Sequence, residues 1–239
     1  MEKDLIELAE RLKGVAGANL KSVVLYGSGA TGEFQPRHSD LNVLCVVERL
    51  GAGELEKYNS TARWWAAKGH PAPLLMTLEE LRRSADVFAI ELLDIRSSRR
   101  ILFGEDLFAG FEVPLMLHRQ QVERELRTRL IRLRQEYLAA PRKTSVLREL
   151  LTASVSTFVV LFRHALIVFG EESPKGKRAV VERLAAVVGF DAAAFHAVLD
   201  VRERKCGEND WDPAVTFVGY LDAVTRVVDE VDRRLAVDQ

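Results

Sequence analysis

Residues 23–47 read VVLYGSGATGEFQPRHSDLNVLCVV. Two apolar runs bracket a polar one. Val23, Val24 and Leu25 lead into Tyr26, a run suited to a buried strand. Gly27-Ser28-Gly29 then interrupts it, since clustered glycines punctuate regular structure. A second apolar run over residues 41–47 follows Ser39-Asp40. The stretch predicts a strand over 20–26, a glycine turn, a short helical piece over 31–34, a loop and a second strand. Pro36 pushes Gln35 out of helix. Two core strands are not needed to hold an idle loop, so the polar residues between them read as presented ones.

Gly27-Ser28, then ten residues, then Ser39-Asp40-Leu41-Asn42 resembles the signature of the nucleotidyltransferase superfamily of the DNA polymerase beta type. That signature is Gly-Ser followed, about ten residues on, by Ser-Asp-x-Asp in a strand. The match holds at Gly27, Ser28, Ser39 and Asp40. It departs at Asn42, where the family carries an acid.

The resemblance implies transfer of a nucleotidyl group from a nucleoside triphosphate, with two magnesium ions on the attacking and leaving oxygens. Magnesium takes hard oxygen ligands. Residues i and i+2 of a strand point the same way, so Asp-x-Asp brings two carboxylates to one metal pair. By this implication Asp40 and Asn42 are the metal-site residues, and Asp40 is also catalytic. Gly27, Ser28, Gly29 and Ser39 are the nucleotide-contacting residues. Arg37 is placed to replace an arginine the family often carries where this chain has Thr31. A third acid is expected on the strand over 73–77, but that segment reads PLLMT. Glu33, Glu91 and Asp94 are substitutes to weigh, each read more readily as a solvated or paired acid. Glu136 falls where aminoglycoside nucleotidyltransferases supply a general base; its plainer reading is an ion pair with Arg132 one turn back.

Working outward, residues 4–15 predict an amphipathic helix, with Leu5, Leu8, Leu12 and Val15 on one face. Residues 53–68 predict another, in which Trp64 and Trp65 read as filling between helix and sheet. Pro71 and Pro73 keep a third strand, 74–77, short. Thr77 and Glu80 form a capping box for a helix through Arg83. Residues 87–93 read as helical and 100–103 as a further strand.

Pro114 marks the expected boundary between a nucleotidyltransferase-like α+β domain at 1–113, a small mixed sheet with helices, and an all-α helical bundle at 114–239 that holds substrate or partner. Residues 115–148 carry nine Lys or Arg against three Glu, so this helix either presents a solvated face or draws in an anion. Thr144 or Ser145 is the expected cap of the next helix. That helix is apolar on all sides through 150–169 and reads as the bundle centre, because Arg163 and His164 interrupt a membrane-length run. Residues 177–188 and 191–202 predict two shorter helices. Asp212-Pro213 opens the last one. Such a two-domain plan also resembles the aminoglycoside nucleotidyltransferases.

The totals set bounds. A net charge of −1 over 239 residues supplies no global field toward nucleic acid or acidic membrane. Cys45 and Cys206 lie far apart and outside any CxxC, which fits neither a disulfide framework nor a zinc site and points to a cytoplasmic setting. The first residues, MEKDLIELAE, carry acids where a signal peptide has positive charge. The expectation is a nucleotide-binding member of the family with magnesium binding weak or absent. If the protein is active, it moves an NMP group to a small molecule or protein. The alternative is an inactive relative that acts as a binding, regulatory or toxin–antitoxin-type interaction protein.

Overall fold

The structure is a computed structural model that describes residues 1–32, 34, 40–140, 143–207 and 210–237, with side chains described to residue 234. The chain divides into two compact units, Met1–Met116 and Leu117–Gln239.

The first unit runs α1 (Glu2–Ala16), β1 (Leu20–Tyr26), α2 (Ser28–Thr31), β2 (Asn42–Val47), α3 (Ala52–Ala66), β3 (Leu74–Thr77), α4 (Leu78–Arg83), α5 (Ala89–Ser97) and β4 (Arg99–Gly104). Its sheet has the order β3-β2-β1-β4. β1 is antiparallel to both β2 and β4, and β2 is parallel to β3. One geometric consequence positions the site. The end of β1 and the starts of β2, β3 and β4 all emerge along the same edge of the sheet, called the rim below.

Both faces of this sheet are covered. Val23, Leu25, Val43, Cys45 and Val47 pack with Leu5, Leu8 and Leu12 of α1 and with Tyr58 and Trp65 of α3. Val24, Leu44 and Val46 pack with Leu81 of α4, Leu92 and Ile95 of α5, and Phe108. Strands buried on both sides read as continuous apolar runs, which is why the two strands stood out in the sequence. Each fully buried Leu or Val contributes about 1.5–3 kcal/mol relative to exposure. Burial pushes the Cys45 thiol up to about 12, so it serves as packing. Thr77 caps α4 as its sequence implies: its Oγ1 accepts the Glu80 amide at 3.1 Å, and the Glu80 carboxylate accepts the Thr77 amide at 2.7 Å.

The end of the sheet opposite the rim closes on itself. Asn19 and Arg49 exchange two hydrogen bonds of 2.9 Å, both to the Arg49 backbone. The buried Ser22 hydroxyl donates to the Glu105 carbonyl at 2.7 Å. Gly104 ends β4 with φ +77°, and a Cβ there would lie 2.0 Å from the Lys21 carbonyl oxygen. The close approach of β1 and β4 therefore requires glycine.

The second unit is helical: α6 (His118–Ala139), α7 (Thr144–Val168), α8 (Lys177–Val188), α9 (Ala193–Arg202) and α10 (Pro213–Val237). α7 packs against the other four. It is long and apolar enough by length and composition to cross a membrane, and half of its most apolar window is buried in the fold. Around it Phe195 stacks on Tyr220 at 4.2 Å, and Phe162 lies 4.9 Å from Phe195. His164, fully buried, lies 2.9 Å from His118 across the α6–α7 contact. Asp212 accepts the amide of Ala214 at 2.8 Å and so caps α10.

Three local expectations change. The short helical piece lies over Ser28–Thr31 instead of 31–34, because Gly32 adopts a left-handed conformation that stops it. α7 begins after Lys143 with no side-chain cap, so neither Thr144 nor Ser145 plays that part. Leu130 joins Val122, Leu126 and Leu133 in the α6 core, while Tyr137 is about half exposed and stacks on Phe217 at 4.1 Å.

Candidate functional site

The rim collects five of the residues that the sequence singled out. Gly27 follows β1 with φ +73° and ψ −151°, a conformation natural to glycine. Its amide donates to the Ser98 carbonyl at 3.2 Å, which ties the turn to the start of β4. Gly29 has a different task. A Cβ there would come within 2.8 Å of Leu41 and 3.4 Å of Leu25, both fully buried, so α2 can settle onto the core only with glycine at this point. Ser28, between them, starts α2; the first amides of a helix have no partner within it.

Tyr26 pairs with Asn42 across β1–β2 and with Arg99 across β1–β4. These three residues form a row at the rim. By the alternation of β2, Asn42 falls on the side of the sheet that α4 and α5 cover. Its amide nitrogen lies 3.6 Å from where a Gly27 Cβ would stand, so the residues from the two halves of the motif meet. Asp40, exposed, lies just ahead of β2. Among the described residues neither the Asp40 carboxylate, the Asn42 amide nor the Ser28 hydroxyl makes a hydrogen bond or ion pair. Arg99 differs: Asp106 binds it through two contacts of 2.8 Å. Burial raises the Tyr26 phenol pKa, and the Glu91 carboxylate on α5 raises it further. Tyr26 is thus a neutral hydroxyl at pH 7.

One rim residue escaped the sequence reading. His70, between α3 and β3, accepts the Leu41 amide on Nδ1 at 3.4 Å and packs on Trp65 with ring centroids 4.6 Å apart. Burial holds its imidazole below the ordinary histidine value, against the pull of the Asp40 carboxylate. No local motif marks it, because its partner lies 29 residues earlier.

The remaining candidates fall elsewhere. Arg37, Ser39 and Glu33 lie outside the described residues. Glu136 belongs to the second unit, on α6, and pairs with Arg132 at 2.6 Å. Most of the α6 arginines are likewise engaged: Arg127 with Glu123 and Asp232, Arg129 with Glu125, and Arg134 with Thr225. Arg178, from the basic run at 175–178, binds Asp200 and Glu203.

The donor set decides which cation the rim fits. A magnesium ion that keeps several waters and borrows phosphate oxygens needs one or two carboxylates. Asp40 supplies one, and Asn42 can add only a neutral oxygen. Among the described residues no group of three His, Cys, Asp or Glu is arranged to hold a metal. β3, the expected source of a third acid, has none. At the described rim the motif thus brings one carboxylate and one neutral amide oxygen to a cation.

No protein-family model matches the chain, and no curated protein matches it. Among solved structures it is similar to the spectinomycin adenyltransferase AAD(9) from Enterococcus faecialis, crystallised with ATP and spectinomycin. That alignment has a TM-score of 0.59 at 14% identity and covers 96% of this chain and 99% of the other. A toxin-antitoxin structure with AMP-PNP aligns over 52% of this chain and 93% of the other, with 19% identity and a TM-score of 0.32, too low to carry an argument. The first likeness shows the fold: a small mixed sheet with helices followed by a helical region, as in an aminoglycoside nucleotidyltransferase.

Proposed function

We propose that the protein binds a nucleoside triphosphate at the rim, with Gly27, Ser28 and Gly29 along the phosphates and Asp40 meeting a magnesium ion that the triphosphate carries. Ser39 and Arg37, between α2 and β2 in the sequence, complete the phosphate contacts in this reading. The observation that carries it is the convergence of the two motif halves: the Asn42 amide nitrogen stands 3.6 Å from where a Gly27 Cβ would be, Asp40 lies just ahead of β2, and among the described residues the Asn42 amide and the Asp40 carboxylate make no hydrogen bond or ion pair. A polar group left without a protein partner beside a glycine turn is suited to a ligand. AAD(9), whose fold this chain shares, is a crystallised complex with ATP, which supports the reading without assigning the ligand here.

Asn42 and the acid-free β3 argue against transfer by a metal pair. In this reading the protein is a nucleotide-binding relative in which NMP transfer is slow or lost. If transfer occurs, the acceptor is a small molecule or protein, and Glu136 needs to leave Arg132 to act as base. The test is calorimetric titration with ATP, GTP and CTP, with and without magnesium. Affinity in magnesium that falls at least tenfold in Asp40→Ala supports the proposal. Affinity indifferent to both magnesium and Asp40 removes the role given to the carboxylate.

A second reading, a partner-binding helical protein, rests on exposed apolar side chains in the second unit. Leu138 is 81% exposed, and Val215 and Val218 are 71% and 70% exposed, beside the Tyr137–Phe217 stack. Absence of nucleotide affinity under every condition favours this reading over the first.

A further inference from the structure

His70 extends the sheet past its last backbone pair. β2 and β3 pair from Leu44 opposite Leu74. Beyond that point the Leu41 amide finds the His70 imidazole in place of a strand carbonyl. An imidazole nitrogen that accepts a hydrogen bond carries no proton, so the proton of the neutral ring sits on Nε2. The Trp65 ring, fully buried, packs against the imidazole and orients it. Nε2 makes no hydrogen bond with the described protein, and Asp40 is close enough to be felt electrostatically.

This is the flank of the rim on which a third carboxylate was expected. A carboxylate there would hold a cation. An N–H donor there holds an anionic oxygen directly, which is different chemistry for the same ligand.

We propose that His70 is a ligand-contacting residue of the rim site, donating from Nε2 to a phosphate oxygen of the nucleotide through a contact that does not pass through the cation. The proposal rests on reading the rim as a nucleotide site. It separates two contributions: Asp40 acts through magnesium, and His70 acts without it.

The experiment compares wild type, His70→Phe and Asp40→Ala by ATP calorimetry, once in magnesium and once in EDTA, with adenosine as a ligand lacking phosphate. Phenylalanine keeps the packing on Trp65 and removes both nitrogens. The expected result is an ATP affinity at least fivefold weaker in His70→Phe, to the same degree with and without magnesium, and unchanged adenosine affinity. Asp40→Ala should weaken ATP only in magnesium. On 15N-labelled wild type, the His70 Nε2 resonance should shift when ATP is added. Equal ATP affinity in wild type and His70→Phe, a parallel fall in adenosine affinity, or an unmoved Nε2 resonance overturns the role of His70 and leaves the nucleotide reading standing. Wild type that binds no nucleotide overturns both. Should His70→Phe fail to fold, the wild-type resonance decides alone.

Discussion

The two ends of one sheet contrast in how they treat polar groups. At the end away from the rim, several polar side chains are answered within the protein. Asn19 clasps the Arg49 backbone, the Ser22 hydroxyl reaches the Glu105 carbonyl, and Lys21 pairs with Glu48 at 2.9 Å. At the rim, Ser28, Asp40 and Asn42 have no such answer among the described residues. The strands are the same, with the same buried faces. In the proposed reading the difference marks where the fold serves itself and where it meets a ligand. Exposed polar groups without partners cost the fold little, because water satisfies them until something displaces it.

The largest effect is expected at the closed end. In Gly104→Ala the new Cβ meets the Lys21 carbonyl oxygen at 2.0 Å, while the backbone keeps a φ of +77°. A backbone oxygen cannot swing aside as a side-chain tip can, so β1 and β4 must separate locally. Strain of about 1–3 kcal/mol for the conformation and about 1–3 kcal/mol for the overlap together predict a loss of roughly 2–6 kcal/mol. Urea unfolding measures it. A loss below about 0.5 kcal/mol would show that the β1–β4 end is more pliable than the contrast requires.

The second unit extends the comparison to charges. The basic run of α6 read in sequence as either a solvated face or an anion surface, and most of its arginines are bound to acids or hydroxyls close by. On α10, Glu230 is held by Arg233 and Arg234, whose hydrogen bonds bring its carboxyl down from the usual 4.5 to about 2. Arg234 in turn stacks over Phe169 at 4.1 Å. A carboxyl with a lowered folded-state pKa stabilises the fold fully above its unfolded value near 4.5, and that contribution is lost as pH falls toward about 2. Wild type should therefore lose stability between about pH 4.5 and 2, and Glu230→Gln should show a shallower decline over that window in denaturant melts. Parallel pH profiles would mean that this cluster is too well solvated to matter.

Much of this architecture was legible in the chain, for physical reasons. β1 and β2 were visible because burial on both faces demands unbroken apolar runs, and β3 because Pro71 and Pro73 stand just ahead of a short one. The α4 capping box and the Asp212 cap were visible because their partners lie two or three residues away. What stayed hidden depends on contacts distant in sequence or on backbone conformation. The true extent of α2 follows from positive φ at Gly27 and Gly32, which composition permits but does not require. The need for glycine at position 29 comes from Leu25 and Leu41 packed beneath it. His70 comes to the rim only through the β2–β3 alignment. In the candidate site, the meeting of Gly27 with Asn42 was readable from the motif, while the histidine beside them was not.

The smallest effect expected on the fold is at Asp40, and its smallness is informative. A carboxylate that makes no hydrogen bond or ion pair among the described residues contributes nothing specific to the native state there. Among the described residues its electrostatic neighbour is the half-buried His70, whose imidazole burial holds below the ordinary histidine value. Asp40→Ala should therefore leave stability within about 0.5 kcal/mol of wild type, as for surface substitutions that touch no such feature. The same change is expected to weaken nucleotide binding at least tenfold in magnesium. The pairing of no cost to folding with a large cost to binding is what separates a residue kept for a ligand from one kept for structure. Thermal melts of the two proteins without nucleotide check the first half. A drop in Tm of more than a few degrees would place Asp40 among the residues that hold the sheet together, and the contrast between its two ends would fail at the residue on which it most depends.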